Sequence, residues 1–141
     1  MSGGFKAGEA IEVAAALVFR EGKLLITQRP AEAHLGGFWE FPGGKREAGE
    51  SYEECLVREL REELGIEVRV GPLIAALTHE YPEKAVHLEF FQCQWTGREP
   101  QALECAAFKW VTREELRDYP FPAADAQLLA RLSAEPRLWA A

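Results

Sequence analysis

The sequence predicts a single α/β domain of the α+β kind, in which helices pack against a mixed β-sheet. The chain has 141 residues, which is close to the commonest size of one domain. Its 48% hydrophobic and 28% charged residues are typical of globular proteins. Strand-like and helical segments intermix, and tight turns join some strands into antiparallel hairpins. No Gly-, Ser- or Pro-rich linker marks a second domain, and we expect residues 1–9 to form a flexible N-terminus.

β-branched and apolar runs bounded by turn residues predict the strands. These runs occupy residues 11–19, 24–27, 66–70, 73–79, 85–95 and 108–111. Turns at 20–23 and 81–84 join two pairs of strands into hairpins. Loops are expected from Pro30 to the first helix, interrupted by an aromatic segment. The Pro42-Gly43-Gly44 turn is expected to lie outside regular structure, because proline lacks an N–H and glycine is costly to order.

The best-defined helix is predicted over residues 51–64. Ser51 can cap its first turn, and Glu54, three residues further, completes a capping box. Gly65 is suited to end it. Further along the chain, a second capping pair predicts a short helix over 113–118, and a closing helix is predicted over 123–132.

The net negative charge of the chain indicates which kinds of ligand it can bind. Sixteen Lys and Arg residues against 23 Asp and Glu leave a net charge of −7, which disfavours binding to polymeric DNA or RNA. An acidic protein can still hold a small polyphosphate when a divalent cation lies between the two. The three cysteines lack the spacing of a zinc site and are expected to be reduced thiols. No run approaches the about 20 apolar residues of a membrane span, so we expect a cytoplasmic protein.

An acidic arc on the first helix is the main candidate for chemistry. At about 100° per residue, Glu59, Glu62 and Glu63 share one arc beside the apolar face of the helix. Like charges at this spacing repel by about 0.3 kcal/mol per pair. Most such clusters are solvated surface, but this one follows a Gly-Gly turn that would allow a metal or phosphate to approach the backbone. The positive charge of a magnesium ion would remove the repulsion between the carboxylates, and magnesium prefers oxygen ligands of this kind.

The same residues carry a resemblance to a known family. Gly44, five residues to Glu50, then seven residues to the run Arg58-Glu59-Leu60-Arg61-Glu62-Glu63-Leu64-Gly65-Ile66 match the signature G-x5-E-x7-R-E-U-x-E-E-x-G-U, where U is apolar. This signature is that of the Nudix hydrolases. The resemblance implies an α/β/α sandwich around a mixed sheet, with the signature on a loop-helix-loop. It also implies hydrolysis of a nucleoside diphosphate linked to another group.

The chain is similar to the MutT branch of this family over residues 11–133. The segments Gln28-Arg29-Pro30 and Trp39-Glu40-Phe41-Pro42-Gly43-Gly44-Lys45 resemble the MutT sequence before and into the signature. Glu104, six residues before Trp110, matches an additional metal-binding carboxylate of that branch. Asp125 lies in a segment that resembles the base-recognition turn, where bacterial MutT proteins have asparagine. The choice of base therefore stays open.

The resemblance implies a set of site residues. The implied ligands of Mg²⁺, or of Mn²⁺ in its place, are Gly44, Glu50, Glu59, Glu62, Glu63 and Glu104. Arg58 would orient the acidic residues, and Glu59 or, as second choice, Glu104 would accept a proton from the attacking water. The implied nucleotide-binding residues are Arg29, His34, Phe41, Lys45, Tyr81 and Asp125.

The activity implied is Mg²⁺-dependent hydrolysis of a nucleoside triphosphate to the monophosphate and pyrophosphate. The leading substrate is 8-oxo-dGTP, whose removal would sanitise the nucleotide pool. The alternative is a pyrophosphatase for CTP, dCTP or nucleotides in general. A dinucleotide polyphosphate hydrolase, an ADP-ribose hydrolase and a non-catalytic nucleotide sensor are disfavoured, the sensor because the signature is intact. The expected partner is a small nucleotide, with no nucleic acid or membrane, and the chain is expected to be a monomer or homodimer.

Overall fold

The computed structural model describes residues 10–140, so the expected flexible N-terminus at 1–9 lies outside the described residues. Seven strands form one sheet. They are β1 (Ile11–Arg20), β2 (Lys23–Gln28), β3 (Trp39–Glu40), β4 (Gly43–Lys45), β5 (Glu67–Glu80), β6 (Ala85–Gly97) and β7 (Ala107–Val111). The main order is β3-β2-β1-β6-β5, with β4 added to β1 and β7 to β2. Because β1 and β6 run parallel and the other pairs antiparallel, the sheet is mixed, as the sequence predicts.

Helices cover both faces of the sheet. Helix α1 (Tyr52–Leu64) lies on one face, and helix α2 (Ala126–Ala134) lies on the other. Short 3₁₀ segments occur at Glu115–Asp118, Ala123–Asp125 and Pro136–Ala140. Two buried clusters, one on each side, give the sandwich its two cores. No helix within residues 10–140 combines the length and the apolar character needed to cross a membrane.

Helix α1 begins and ends where its capping residues predict. The amide of Glu54 donates to Ser51 Oγ at 3.0 Å, and the amide of Ser51 donates to the Glu54 carboxylate at 2.8 Å. Gly65 takes a left-handed conformation with φ of 68°, and its amide donates to the carbonyl of Arg61 at 3.0 Å. These contacts confirm the predicted helix and fix its orientation at both ends.

Two predictions about strands are wrong. Gly43 and Gly44 do not lie outside regular structure, since they pair with β1 as strand β4. Glycine is suited to this pairing because a Cβ at Gly43 would lie only 2.0 Å from the carbonyl oxygen of Ala14. The segments 66–70 and 73–79 form one long strand, β5, whose register with β6 shifts between Val70 and Leu73.

The later helices also differ from the prediction. The Thr112–Glu115 capping box forms, with the amide of Glu115 donating to Thr112 Oγ1 at 3.2 Å, but it opens a 3₁₀ turn rather than an α-helix. The closing helix likewise begins with a 3₁₀ turn before α2. The C-terminal segment Pro136–Ala140 was not predicted at all.

This C-terminal segment completes the core on the α2 side. The Trp139 side chain is buried, with its ring edge-on to Phe19 at a centroid distance of 5.2 Å. Its indole Nε1 donates to the carbonyl of Leu132 at 2.9 Å. The segment therefore packs as part of the domain rather than as a tail.

The variant Trp139→Ala is expected to lower the free energy of unfolding by about 3–5 kcal/mol, because it leaves a cavity against Phe19 and an unpaired carbonyl at Leu132. Urea denaturation would measure the change. Arg137→Ala is the matched control, since this neighbouring side chain is exposed. Equal stability of the two variants would contradict the packing role of Trp139.

Candidate active site

One cavity of about 430 Å³ gathers most of the predicted site residues. Three predicted metal ligands, Gly44, Glu63 and Glu104, line it. All of the predicted nucleotide-binding residues line it as well, namely Arg29, His34, Phe41, Lys45, Tyr81 and Asp125. The remaining predicted site residues lie on helix α1 or the loop before it and are not part of the cavity lining, namely Glu50, Arg58, Glu59 and Glu62. Residues far apart in sequence therefore converge here.

Strand β4 brings the backbone of Gly44 against helix α1. A Cβ at Gly44 would lie 2.4 Å from the carboxyl carbon of Glu59, so only glycine leaves the Glu59 carboxylate in this position. The carbonyl oxygen of Gly44 lies 3.5 Å from Cys55 Sγ, on the first turns of the same helix. A backbone oxygen and a carboxylate are thus held next to each other.

Glu59 and Glu63 lie one helical turn apart and interact. Burial, followed by the hydrogen bond and negative charge of Glu59, raises the pKa of the Glu63 carboxyl to about 9. The charges of Glu40 and Glu104 act in the same direction. Neighbouring carboxylates that resist ionisation together are relieved either by a shared proton or by a cation.

Arg58 organises the acidic residues around it. Its Nε and Nη2 donate to the two oxygens of Glu50 at 3.0 and 2.7 Å. Its Nη1 donates to Glu59 at 2.9 Å and to Glu62 at 3.2 Å. These contacts raise the pKa of Arg58, and they lower the pKa of Glu50 to about 2, chiefly through the hydrogen bond from Arg58. Because Arg58 binds both oxygens of Glu50, this carboxylate is placed to hold the guanidinium in position.

The donor atoms available around α1 fit a hard cation such as Mg²⁺. They are the carboxylate oxygens of Glu59, Glu62, Glu63 and Glu104 and the carbonyl oxygen of Gly44, with no sulfur or imidazole required. The acidic neighbours that help to raise the pKa of Glu63 indicate a site that a cation would stabilise, and the close approach of Gly44 leaves its carbonyl near the Glu59 carboxylate. Among residues 10–140 no three acidic, histidine or cysteine side chains already converge on one point, so the glutamate side chains would rotate to bind the ion.

Asp125 and Phe41 provide a different environment in the same cavity. The Asp125 side chain lies at the start of α2 and is buried, with 7% of its surface exposed. Burial and then the charge of Glu40 raise the pKa of its carboxyl to about 6. Phe41 packs against Phe121 and Phe90 at centroid distances of 5.0 and 6.0 Å, which fixes its ring in the cavity wall. A polar edge and an aromatic surface are the features that a nucleobase requires.

Sequence reasoning missed two charged residues of the cavity. Glu40 lines it and pairs with Arg29, whose Nη1 lies 3.0 Å from Glu40 Oε1. Lys84, at the turn between β5 and β6, lines it beside Tyr81. The turn position of Lys84 is visible in the sequence. Strand β3 has only two residues and was not predicted, and the edge of the sheet that Glu40 reaches depends on its pairing with β2.

A family profile, two named relatives and a solved structure all match this chain over most of its length. The sequence profile described as the NUDIX domain matches residues 13–131. A protein named CTP pyrophosphohydrolase from Escherichia coli K12 is 44% identical over 124 residues, covering 88% of this chain and 92% of that protein. An 8-oxo-dGTP diphosphatase of the same strain is 36% identical over 124 residues, covering 86% and 95%. The solution structure of the E. coli ORF135 protein has a TM-score of 0.79 at 44% identity, covering 89% and 90%.

Proposed function

This chain belongs to the NUDIX domain family, and from that premise we propose that it hydrolyses 8-oxo-dGTP to 8-oxo-dGMP and pyrophosphate. It is a hydrolase of phosphoric anhydrides, and its relatives are named for nucleoside triphosphates of two kinds. The observation that carries the proposal is the shared cavity, which is lined both by acidic residues suited to a divalent cation and by Phe41 and Asp125. A single bound nucleotide could therefore place its phosphates and its base on this chain.

The acidic residues supply the phosphate chemistry. Glu59, Glu62, Glu63, Glu104 and the Gly44 carbonyl would hold magnesium, which when bound neutralises phosphate charge and lowers the pKa of water. Glu50 is implied by the resemblance as a further metal ligand, but both of its oxygens accept hydrogen bonds from Arg58, so in this proposal it holds that guanidinium in place. Lys45, which lines the cavity next to Gly44, is placed to bind a phosphate oxygen.

The reaction breaks the anhydride bond between the α- and β-phosphates. Water attacks one of these two phosphorus atoms and forms a new P–O bond. If it attacks the α-phosphorus, pyrophosphate leaves with the bridging oxygen. If it attacks the β-phosphorus, the monophosphate leaves with that oxygen. The proton of the water passes to a carboxylate, with Glu59 as first choice and Glu104 as second. Arg58 would keep Glu59 in position, since its Nη1 lies 2.9 Å from that carboxylate.

Asp125 favours a guanine-type base when it is ionised. A carboxylate has only acceptors, and the Watson–Crick edge of guanine or 8-oxoguanine presents two adjacent donors, N1–H and the 2-amino group. Because the pKa of Asp125 is about 6, its carboxyl is mostly ionised at neutral pH. Phe41 would pack against the base.

A cytidine triphosphate is the second candidate. The 44%-identical E. coli relative is named for CTP, and cytosine presents one donor, the 4-amino group, beside one acceptor, N3. A protonated carboxyl matches this edge because it carries one donor and one acceptor. The protonation state of Asp125 therefore bears on which base is preferred.

We predict that base preference changes with pH. Between about pH 5 and pH 8 the ratio of kcat/KM for CTP to that for 8-oxo-dGTP should fall, with a midpoint near the pKa of about 6, because the Asp125 carboxyl loses its proton. Groups that act on phosphate affect both substrates and cancel in the ratio. Asp125→Asn should remove the pH dependence of the ratio. A ratio that stays constant in the unaltered protein would contradict the base-reading role.

The proposed function is tested by a panel of substrates with Mg²⁺ present. Turnover of 8-oxo-dGTP, dGTP, dCTP, CTP, ADP-ribose and a diadenosine polyphosphate would be compared as kcat/KM, with products identified as monophosphate and pyrophosphate. We expect the highest value for 8-oxo-dGTP. A preference for CTP would establish the second candidate, and nucleotide binding without turnover of any compound would refute hydrolysis.

A further inference from the structure

A tight loop over residues 30–38, here called the 30–38 loop, forms part of the cavity wall. It contributes His34 and Leu35 to the lining. Leu35 has a left-handed φ of 56°, which is rare for a bulky side chain and persists only where the surrounding structure holds it. A Cβ at Gly36 would lie 2.1 Å from the carbonyl oxygen of Ala31, so the loop is wound closely on itself. A conformation of this kind needs an anchor.

Arg29 anchors the loop through three hydrogen bonds, two from its backbone and one from its side chain. Its backbone amide donates to the carbonyl of Phe38 at 2.9 Å, and its carbonyl accepts from the amide of Gly37 at 3.1 Å, which closes the base of the loop. Its side chain reaches further, because Nε donates to the carbonyl of His34 at 2.6 Å. That carbonyl belongs to the peptide directly before Leu35, so the contact holds the peptide where the backbone is strained.

Glu40 in turn holds Arg29. The Nη1 of Arg29 lies 3.0 Å from Glu40 Oε1, on strand β3 at the far side of the loop. Glu40 lines the cavity together with three other acidic residues, Glu63, Glu104 and Asp125. Burial raises the pKa of Glu40 and the charge of Arg29 opposes this shift. Arg29 therefore offsets part of the cost of burying the Glu40 carboxylate.

We propose that Arg29 and Glu40 act as a positioning pair, which holds the 30–38 loop in the shape that places His34 and Leu35 against the bound nucleotide. This inference rests on the proposed function and adds a residue, Glu40, that the signature does not include. In this proposal Arg29, which the resemblance implies as a nucleotide-binding residue, acts on the nucleotide through the loop. The pair governs how tightly the nucleotide binds and leaves the attack on phosphorus to the acidic residues of helix α1.

The variants Glu40→Ala, Glu40→Gln and Arg29→Lys test the pair. Glu40→Ala removes the acceptor of Arg29 and is expected to raise KM for the preferred nucleotide about 10-fold or more, with kcat changed less than about 3-fold. Glu40→Gln keeps one oxygen as acceptor and should recover most of the loss. Arg29→Lys should behave like Glu40→Ala, because one ammonium cannot reproduce the guanidinium geometry that reaches both His34 and Glu40.

A second measurement does not depend on turnover. The Gly37 amide donates to the carbonyl of Arg29, and the Phe38 amide donates to the carbonyl of Leu35. With no nucleotide in either sample, hydrogen exchange of these two amides should be faster in Glu40→Ala than in the unaltered protein. Glu135→Ala is the matched control, since it breaks an arginine–carboxylate pair of 2.8 Å at the end of α2 and should change neither readout.

The result of these experiments shows whether the positioning role or the proposed function is wrong. A large loss of kcat in Glu40→Ala with KM unchanged would place Glu40 at the reacting atoms and overturn the positioning role. Exchange rates and KM equal to those of Glu135→Ala would show that the pair positions nothing. If the unaltered protein hydrolyses no nucleotide, the proposed function fails, while the exchange rates still decide whether Arg29 and Glu40 hold the loop.

Discussion

Glu63→Gln is expected to lower kcat by about 100-fold or more while the protein stays folded. Glutamine cannot ligate magnesium as a carboxylate does, so the site would lose one of its charged ligands. The fold should survive because the pKa of Glu63 is already raised to about 9, and glutamine is close in shape and charge to the protonated carboxyl. Single-turnover and steady-state rates at saturating nucleotide would measure the loss.

Thermal denaturation gives a readout of Glu63→Gln that is independent of the substrate. Magnesium should raise the midpoint temperature of the unaltered protein by binding only its folded state, and this rise should shrink in Glu63→Gln. Glu62→Gln should lower kcat in the same direction, since Glu62 shares the acidic arc. Glu53→Gln is the control, an exposed glutamate of the same helix outside the signature arc. Full turnover in Glu63→Gln would refute the metal assignment.

Gly44→Ala is expected to have an effect of similar size, about 100-fold or more in kcat, although it alters no charged group. A Cβ at this position would lie 2.4 Å from the Glu59 carboxyl carbon. The clash is with the end of a flexible side chain, so the fold can accept it by moving Glu59 away from its position. That movement separates the proposed base and ligand from the Gly44 carbonyl.

Two other glycines make the Gly44 experiment specific. Gly97→Ala should leave activity and stability unchanged, because a Cβ there has no atom within 4 Å. Gly43→Ala should instead lower stability, since its Cβ would lie 2.0 Å from the backbone oxygen of Ala14 and would break the β1–β4 pairing. If Gly44→Ala loses stability as Gly43→Ala does, or keeps full activity, the close approach to Glu59 has no catalytic meaning.

The elements that could be read from the sequence are those defined by local contacts. The capping residues of α1 interact within three positions of each other, and the first hairpin depends on its own turn. The strands that were misjudged depend on distant partners. Strand β4 exists because Gly43 and Gly44 pair with Ala14 and Ala15. Strand β5 continues past Pro72 because β6 supplies partners on both sides of the register shift between Val70 and Leu73.

The residues of the candidate site also fall into those that local spacing predicts and those that depend on distant partners. The acidic arc on α1 follows from helical spacing, so Glu59, Glu62 and Glu63 could be named from the sequence. Glu40 could not be assigned a role, because its partner Arg29 lies 11 positions away, across the 30–38 loop. Whether Glu50 had free oxygens was equally hidden, and the structure shows Arg58 bound to both of them.

The sequence by itself determined the family, the helix that carries the signature and the presence of an acidic cluster, because each of these depends on residues within one continuous segment, 44–66. Only the tertiary structure decided which acidic residues share a cavity with Phe41 and Asp125, and which are bound to arginine. The physical reason is that the pairing of strands sets the distance between residues far apart in the chain, and that distance, with the burial it brings, decides how the charge of a carboxyl group is compensated.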